Sequence, residues 1–139
     1  MHLLRAAVSC FATGVAAQAM AGETVLYQPA PAWVEKATVP APSSFDGEPP
    51  QLMLFDLQQR IEDGRLSTYA DIATRAGSAE ALAQLSSITL PWMPDKGDLI
   101  IHDLSILRGA EQVDALAGGK TFSILRREEN LEARQITGI

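Results

Sequence analysis

The sequence predicts an all-β protein, an antiparallel β-sandwich preceded by an extended proline-rich segment. Apolar and polar residues alternate with period two from Leu52 onward, as half-buried strands require. Turn-forming pairs then recur at short intervals: Asp63-Gly64, Gly109-Ala110 and Gly118-Gly119. Short strands with turns at this spacing are typical of β-sandwiches. We therefore assign residues 51–139 to the sandwich domain.

Residues 1–21 have the three parts of a secretion signal. Arg5 supplies the cationic start, an apolar stretch covers residues 6–17, and small residues at 19–21 form an exit site. We expect cleavage between Ala21 and Gly22, with cleavage after residue 17 or 19 as alternatives. The apolar stretch is shorter than the roughly 20 residues that cross a bilayer, so no membrane span is expected once the leader is removed.

The only cysteine, Cys10, lies within this predicted leader. The mature protein would then contain no thiol, and lipid attachment at Cys10 is a weaker alternative. A disulfide-free exported domain suits a bacterial periplasm as well as an extracellular location. We therefore expect an exported protein, periplasmic or secreted, that folds by apolar burial alone.

Residues 22–50 are predicted to form an extended segment, because six of the chain's eight prolines lie there and proline interrupts helices and sheet ladders. Trp33 and Val34 are the expected anchors of this segment, since a large aromatic side chain buries enough area to hold an extended strip. A Trp33 that stacks on a ligand is the alternative.

The first sandwich strand is predicted to place Met53, Phe55, Leu57 and Ile61 on one buried face. The pair Asp63-Gly64 supplies a tight hairpin, and the return strand extends to about Thr74. A helical turn is expected over 78–83. Further strands are predicted over 85–90, 98–108, 112–116 and 120–127, and residues 131–139 begin another.

Charge excludes one class of partner. The chain has 11 basic and 17 acidic side chains and a net charge of −6, and nucleic-acid surfaces need clustered Lys and Arg. We expect no nucleic-acid partner. The length fits a single domain.

No catalytic, metal or cofactor site is predicted. With Cys10 in the leader, a nucleophilic site would need His102 as its base. His102 should share a face with Leu104 and Ile106, while the adjacent Asp103 should point away from it. One histidine without cysteines does not supply a zinc site, and the loop around Asp95 lacks the alternating ligands of a calcium site.

Carboxylates cluster near the end of the chain. Glu128, Glu129 and Glu132 could pair for glycoside hydrolysis if they faced one another across a cleft. The preferred interpretation is that Arg126 or Arg127 pairs with one of them across the sheet or at a domain joint. Arg126, Glu128 and Glu132 are thus candidate packing or docking residues.

Several short segments carry a family resemblance: Pro31-Ala32-Trp33-Val34, Pro91-Trp92-Met93-Pro94, Ile101-His102-Asp103-Leu104, Leu107-Arg108-Gly109, and Ile124 to Glu132 with its Arg-Arg-Glu-x-x-Leu-Glu stretch. Together with the strand over 52–57, these resemble the N-terminal domain of unknown function that precedes transglutaminase-like domains in exported bacterial proteins. The chain stops at Ile139, so the resemblance implies a sandwich that lacks its closing strands.

The resemblance implies a non-catalytic module that supports or docks a transglutaminase-like domain in cis. Any catalytic activity would then belong to that downstream domain. The alternative is a stand-alone glycan- or peptide-binding module that uses an open sheet edge or an aromatic platform of Trp33, Trp92 and Tyr69. Trp92 is therefore a candidate for packing or for docking.

Overall fold

The computed structural model describes residues 2–12, 24–127 and 130–136, and over these residues it confirms the all-β class. Two sheets form most of the structure, and a single α-helix, α1 (Ala79–Leu85), is found in the described part. The strands are β1 (His2–Ala12), β2 (Leu26–Tyr27), β3 (Leu52–Glu62), β4 (Arg65–Ala76), β5 (Ser87–Trp92), β6 (Asp98–Arg108), β7 (Glu111–Asp114), β8 (Ser123–Arg127) and β9 (Asn130–Ile136).

The larger sheet has six strands in the order β2-β6-β1-β4-β3, with β7 also paired to β6. Asp63 and Gly64 have positive φ angles of 51° and 72° and connect β3 to β4, which is the tight hairpin expected from the sequence. The sheet is mixed and not purely antiparallel, because the two-residue strand β2 runs parallel to β6. Such a short strand carries no periodic signal in the sequence.

The segment predicted to be a leader forms the central strand of this sheet. β1 pairs antiparallel with β4 on one side and with β6 on the other. Its successive residues point to opposite faces, so Leu4 joins one apolar cluster and Leu3 another. Signal cleavage stays a prediction, and a chain cleaved after Ala21 would lack this strand.

The smaller sheet contains β5, β9 and β8 in that order, all antiparallel. Ser78 caps α1, which leads into this sheet, by accepting a hydrogen bond from the backbone N–H of Ala81 at 3.1 Å. The register pairs Arg126 with Leu131 and Leu125 with Glu132. Arg126 and Glu132 therefore lie on neighbouring strands, one position apart.

The main core lies between the two sheets. The larger sheet contributes alternate residues of β1 and β6, including Leu4, Ile101 and Leu104, and the smaller sheet contributes Trp92 of β5. Phe122 packs into the same cluster just before β8. This arrangement gives the sandwich that the strand pattern predicts.

Trp92→Ala is expected to lower the free energy of unfolding by about 3 to 5 kcal/mol, the usual cost of deleting a buried tryptophan side chain. Trp92 is only 4% exposed, and its indole N–H donates to the carbonyl of Gly97 at 2.7 Å. Urea denaturation of the full chain measures the change. A loss below about 0.5 kcal/mol, the range of surface substitutions, would contradict this placement.

A β-bulge changes the faces predicted for β3. The register shifts between Leu52 and Leu54, so Met53 packs with Leu3 and Ala73 in a second apolar cluster. Phe55, Leu57 and Ile61 then point to the opposite face and are exposed. The prediction of a single buried face is therefore wrong, because it assumed an unbroken alternation.

The proline-rich segment crosses the larger sheet on the face away from the smaller one. One long side chain from each of four strands contacts its backbone. These are His102 to the carbonyl of Gln28, Gln58 to Glu35, Arg5 to the carbonyl of Ala37, and Arg75 to the carbonyl of Pro49. Val39 and Phe45 add apolar anchors by packing against the Met53 cluster.

Candidate functional site

A cavity of about 220 Å³ lies between the larger sheet and the proline-rich segment. Its polar lining consists of Arg5, Lys36, Tyr69, Asp71, His102 and Asp103, and its apolar lining consists of Ala7, Ala30, Pro31 and Val34. We call this space the polar cavity. It brings side chains from β1, β4 and β6 together beneath the crossing segment.

A second bulge directs two adjacent side chains of β6 into the polar cavity. Ala7 pairs with Asp103 and the next residue of β1, Val8, pairs with Ile101. His102 is therefore the extra, unpaired residue, and a bulge of this kind re-aims side chains. The prediction that His102 and Asp103 face opposite ways is wrong for this reason. Leu104 and Ile106, expected beside His102, instead pack in the core between the sheets.

Both ring nitrogens of His102 are engaged. Nδ1 lies 2.9 Å from the carbonyl oxygen of Gln28, and Nε2 lies 2.6 Å from Oγ of Ser9. A carbonyl oxygen only accepts, so Nδ1 carries the proton, and in the neutral ring Nε2 accepts from the Ser9 hydroxyl. Ser9 is fully buried, so this serine–histidine pair fixes the ring and leaves Oγ out of reach of a substrate.

Arg5 and Asp71 form a buried bidentate ion pair at the floor of the cavity. Nε of Arg5 donates to Oδ1 of Asp71 at 3.0 Å, and Nη2 donates to Oδ2 at 2.5 Å. Asp71 is completely buried. Its hydrogen bonds raise the pKa of Arg5 above the ordinary value, and the fork-to-fork geometry is the strong form of such a pair.

Tyr69 lies beside His102, with the two ring centroids 5.8 Å apart. The residue is 2% exposed. Its hydroxyl has no hydrogen-bond partner among the described residues. Burial, followed by the nearby carboxylate of Asp71, raises the pKa of Tyr69 above its usual value, so the hydroxyl is a neutral donor at physiological pH.

A second feature lies on the other face of the sheet, at its β3 edge. Phe55, Leu57, Ile61 and Leu66 are 60%, 52%, 77% and 38% exposed. Ile61 pairs directly with Leu66, and alternation places the other two on the same face. We call these four residues the apolar β3–β4 surface. Exposed apolar patches of this kind mark interaction sites.

The residues that the sequence singled out do not meet at one site. Trp92 is buried between the sheets, whereas Tyr69 faces the polar cavity on the opposite side. Trp33 is half-buried at a turn closed by the Val34 N–H and the Pro31 carbonyl. The predicted aromatic platform of Trp33, Trp92 and Tyr69 is therefore not formed, because the larger sheet separates Trp92 from Tyr69.

Four of the predicted residues lie outside the described part of the chain. They are Glu128 and Glu129 of the carboxylate cluster and the two residues of the expected cleavage site, Ala21 and Gly22. For Arg126 and Glu132 the structure gives the strand register described above. A pairing of Arg126 or Arg127 with one of the three carboxylates stays a prediction.

Within residues 2–12, 24–127 and 130–136, no group of three or more His, Cys, Asp and Glu residues is placed to hold a metal ion. No helix in that same part of the chain has the length and hydropathy needed to cross a bilayer.

Burial and the neighbouring carboxylate of Asp98 raise the pKa of Cys10, so its thiolate, the nucleophilic form, is disfavoured at neutral pH.

Sequence reasoning missed Arg5, Lys36 and Asp71 as cavity residues and named Tyr69 only as part of an aromatic platform. Arg5 was assigned to the leader, although a cation in a central strand is the expected partner of a buried acid such as Asp71. Alternation along β4 could have found Tyr69 and Asp71 together, because residues two apart share a face.

No family model, curated protein or solved structure matches this chain.

Proposed function

We propose that this protein is a non-catalytic, exported β-sandwich module that docks a transglutaminase-like domain. The apolar β3–β4 surface is the observation that supports docking. Its four exposed large side chains, three on β3 and one on β4, lie at the edge of the sheet. Soluble domains seldom leave such a surface uncovered unless another domain packs on it.

The position of the surface favours a folded neighbour over a small ligand. Ala70 and Ile72 of β4 are half-buried between the exposed row on β3 and the core between the sheets. The apolar β3–β4 surface is therefore an extension of the core that the smaller sheet leaves uncovered. A second domain placed there would complete the burial, and the sequence resemblance supports a transglutaminase-like domain as that neighbour.

The chain's own nucleophile supports a non-catalytic role. Cys10 is the only cysteine, and its raised pKa disfavours the thiolate that transglutaminase-like chemistry needs. The hydroxyl of Ser9 is fully buried and engaged with His102. Catalysis would therefore be supplied by the docked domain.

The test begins with the intact mass and N-terminal sequence of the native product from its source cells. We expect a product heavier than this chain, with a downstream peptide that contains cysteine. The downstream domain, produced separately, should bind the 139-residue chain in a calorimetric titration. A native product that ends at Ile139 would contradict docking in cis.

The double variant Phe55→Ser and Leu57→Ser is expected to weaken that binding at least about 100-fold, since each buried aromatic or leucine side chain contributes about 1.5 to 3 kcal/mol. Gln59→Ser is the matched control, because Gln59 lies on the same strand and face. Retention of affinity by the double variant, with native circular dichroism, would locate the interface elsewhere.

The alternative of a stand-alone binding module is favoured by a different observation, the polar cavity. Its lining combines charged, aromatic and apolar groups, as small-molecule sites do. Docking through the apolar β3–β4 surface and binding in the polar cavity use opposite faces of the same sheet, so the two functions are compatible and are tested separately.

A further inference from the structure

We propose that the polar cavity binds a neutral, polyhydroxylated ligand the size of one sugar ring. The inference rests on four properties of the cavity: its unpartnered tyrosine hydroxyl, its balanced charge, its remaining donors and acceptors, and its size. It does not depend on docking through the apolar β3–β4 surface.

The hydroxyl of Tyr69 is the first indication of a ligand. Tyr69 is 2% exposed and lines the cavity. Its hydroxyl has no hydrogen-bond partner in the part of the chain that the structure describes. A hydroxyl that lines a cavity and makes no hydrogen bond to the described residues can bond to a molecule bound there. A ligand oxygen in the cavity would supply the missing acceptor.

Charge selects a neutral ligand. The cations of Arg5 and Lys36 are balanced by the carboxylates of Asp71 and Asp103. Arg5 is already neutralised by Asp71. An ionic ligand would add a charge that no unbalanced group of the lining compensates. It would also lose the hydration of that charge on entering the cavity.

The remaining polar groups suit hydroxyls, which both donate and accept. Asp103 accepts one hydrogen bond, from Ser105 at 3.1 Å through Oδ2, and its second oxygen is available as an acceptor. Tyr69 and Lys36 are available as donors. Neighbouring hydroxyls on a ring can donate to the carboxylate while they accept from the phenol and the ammonium.

The shape of the cavity agrees with a sugar ring. A volume of about 220 Å³ holds a single hexose and no second unit. Ala7, Pro31 and Val34 give the cavity an apolar wall, which suits the C–H face of a pyranose, and the polar side chains face its hydroxyl edge. A zwitterionic amino acid has no comparable set of adjacent hydroxyls.

The test is a titration of the full chain with D-glucose, D-galactose and D-mannose. Binding is measured by ligand-detected NMR and by thermal shift. For a ligand of about twelve heavy atoms in a small site, we expect a Kd of about 1 to 10 mM for at least one hexose. Glycine, L-alanine and inorganic phosphate serve as zwitterionic and anionic probes, and they should show no saturable binding.

Tyr69→Phe deletes only the unpartnered hydroxyl and should weaken hexose binding about 3- to 10-fold without lowering the melting temperature. Asp103→Asn should weaken it by a similar factor, and the exposed Asp46→Asn is the matched control. No saturable hexose binding, tighter binding of an amino acid or phosphate, or an unchanged Kd in Tyr69→Phe would each overturn the proposal.

Discussion

Deletion of residues 1–21 is expected to abolish cooperative folding. The shortened chain loses β1, which forms the centre of the larger sheet and pairs with β4 and β6 along nearly its whole length. Two buried leucines, Leu3 and Leu4, leave the apolar clusters with it, at about 1.5 to 3 kcal/mol each. Loss of Arg5 also leaves the buried carboxylate of Asp71 unpaired, which costs about 3 to 5 kcal/mol.

These losses together are comparable with the total stability of a small domain, about 5 to 15 kcal/mol. Far-ultraviolet circular dichroism during urea titration should show a sigmoidal transition for the full chain and none for residues 22–139. A cooperative transition of similar midpoint in the shortened chain would show that β1 is dispensable.

The predicted leader and the fold give two different expectations for the N-terminus of the native protein. Cleavage after Ala21, expected from the sequence, yields a product without β1, whereas the fold described here requires β1. N-terminal sequencing of the native product distinguishes them. A product beginning at Gly22 means that another strand must occupy the position between β4 and β6, and a product that keeps residues 2–12 means that the segment is structural.

Arg5→Ala in the otherwise intact chain is expected to lower the free energy of unfolding by about 3 to 5 kcal/mol. The side chain of Arg5 donates two hydrogen bonds to Asp71, which is fully buried, and one to the carbonyl of Ala37. The substitution keeps β1 and deletes only these contacts. Urea denaturation of the two proteins measures the difference.

Arg60→Ala is the matched control, since Arg60 forms an ion pair with Glu62 in which both side chains are exposed. Exposed pairs contribute about 0 to 1 kcal/mol, so this variant should stay close to the parent. The double variant Arg5→Met and Asp71→Leu tests the cause, because an apolar pair leaves no buried charge and should recover much of the lost stability. Equal effects of Arg5→Ala and Arg60→Ala would contradict the assigned burial.

Local turn chemistry accounts for the parts of the fold that the sequence predicts well. Asp63 and Gly64 adopt the positive φ angles that the hairpin needs, and Ser78 begins the helical turn as an N-cap. The strand predicted over 98–108 coincides with β6. Each of these depends on residues that are close in the chain, so propensity and pattern suffice.

The errors come from bulges and from long-range pairing. A single extra residue at Met53 or at His102 reverses the side-chain parity of the rest of the strand, and neither position carries a glycine to signal a bulge. The role of residues 2–12 was missed because an apolar, alanine-rich start resembles a leader. Neither the turn signals nor the strand alternation predicts the polar cavity, because its residues come from strands far apart in sequence.

The proline-rich segment that crosses the larger sheet has an excess of hydrogen-bond acceptors, because each of its six prolines keeps a carbonyl and lacks an N–H. The four strand side chains that hold it supply the deficit: two arginines, one amide and one protonated ring nitrogen, all donors. Among the described residues of the segment, only Glu35 donates its backbone N–H to one of these side chains, to Oε1 of Gln58 at 3.0 Å. The composition of one stretch of chain thus dictates the hydrogen-bonding polarity of the sheet face beneath it, and a carboxylate in place of Arg5, Arg75 or His102 would set acceptor against acceptor.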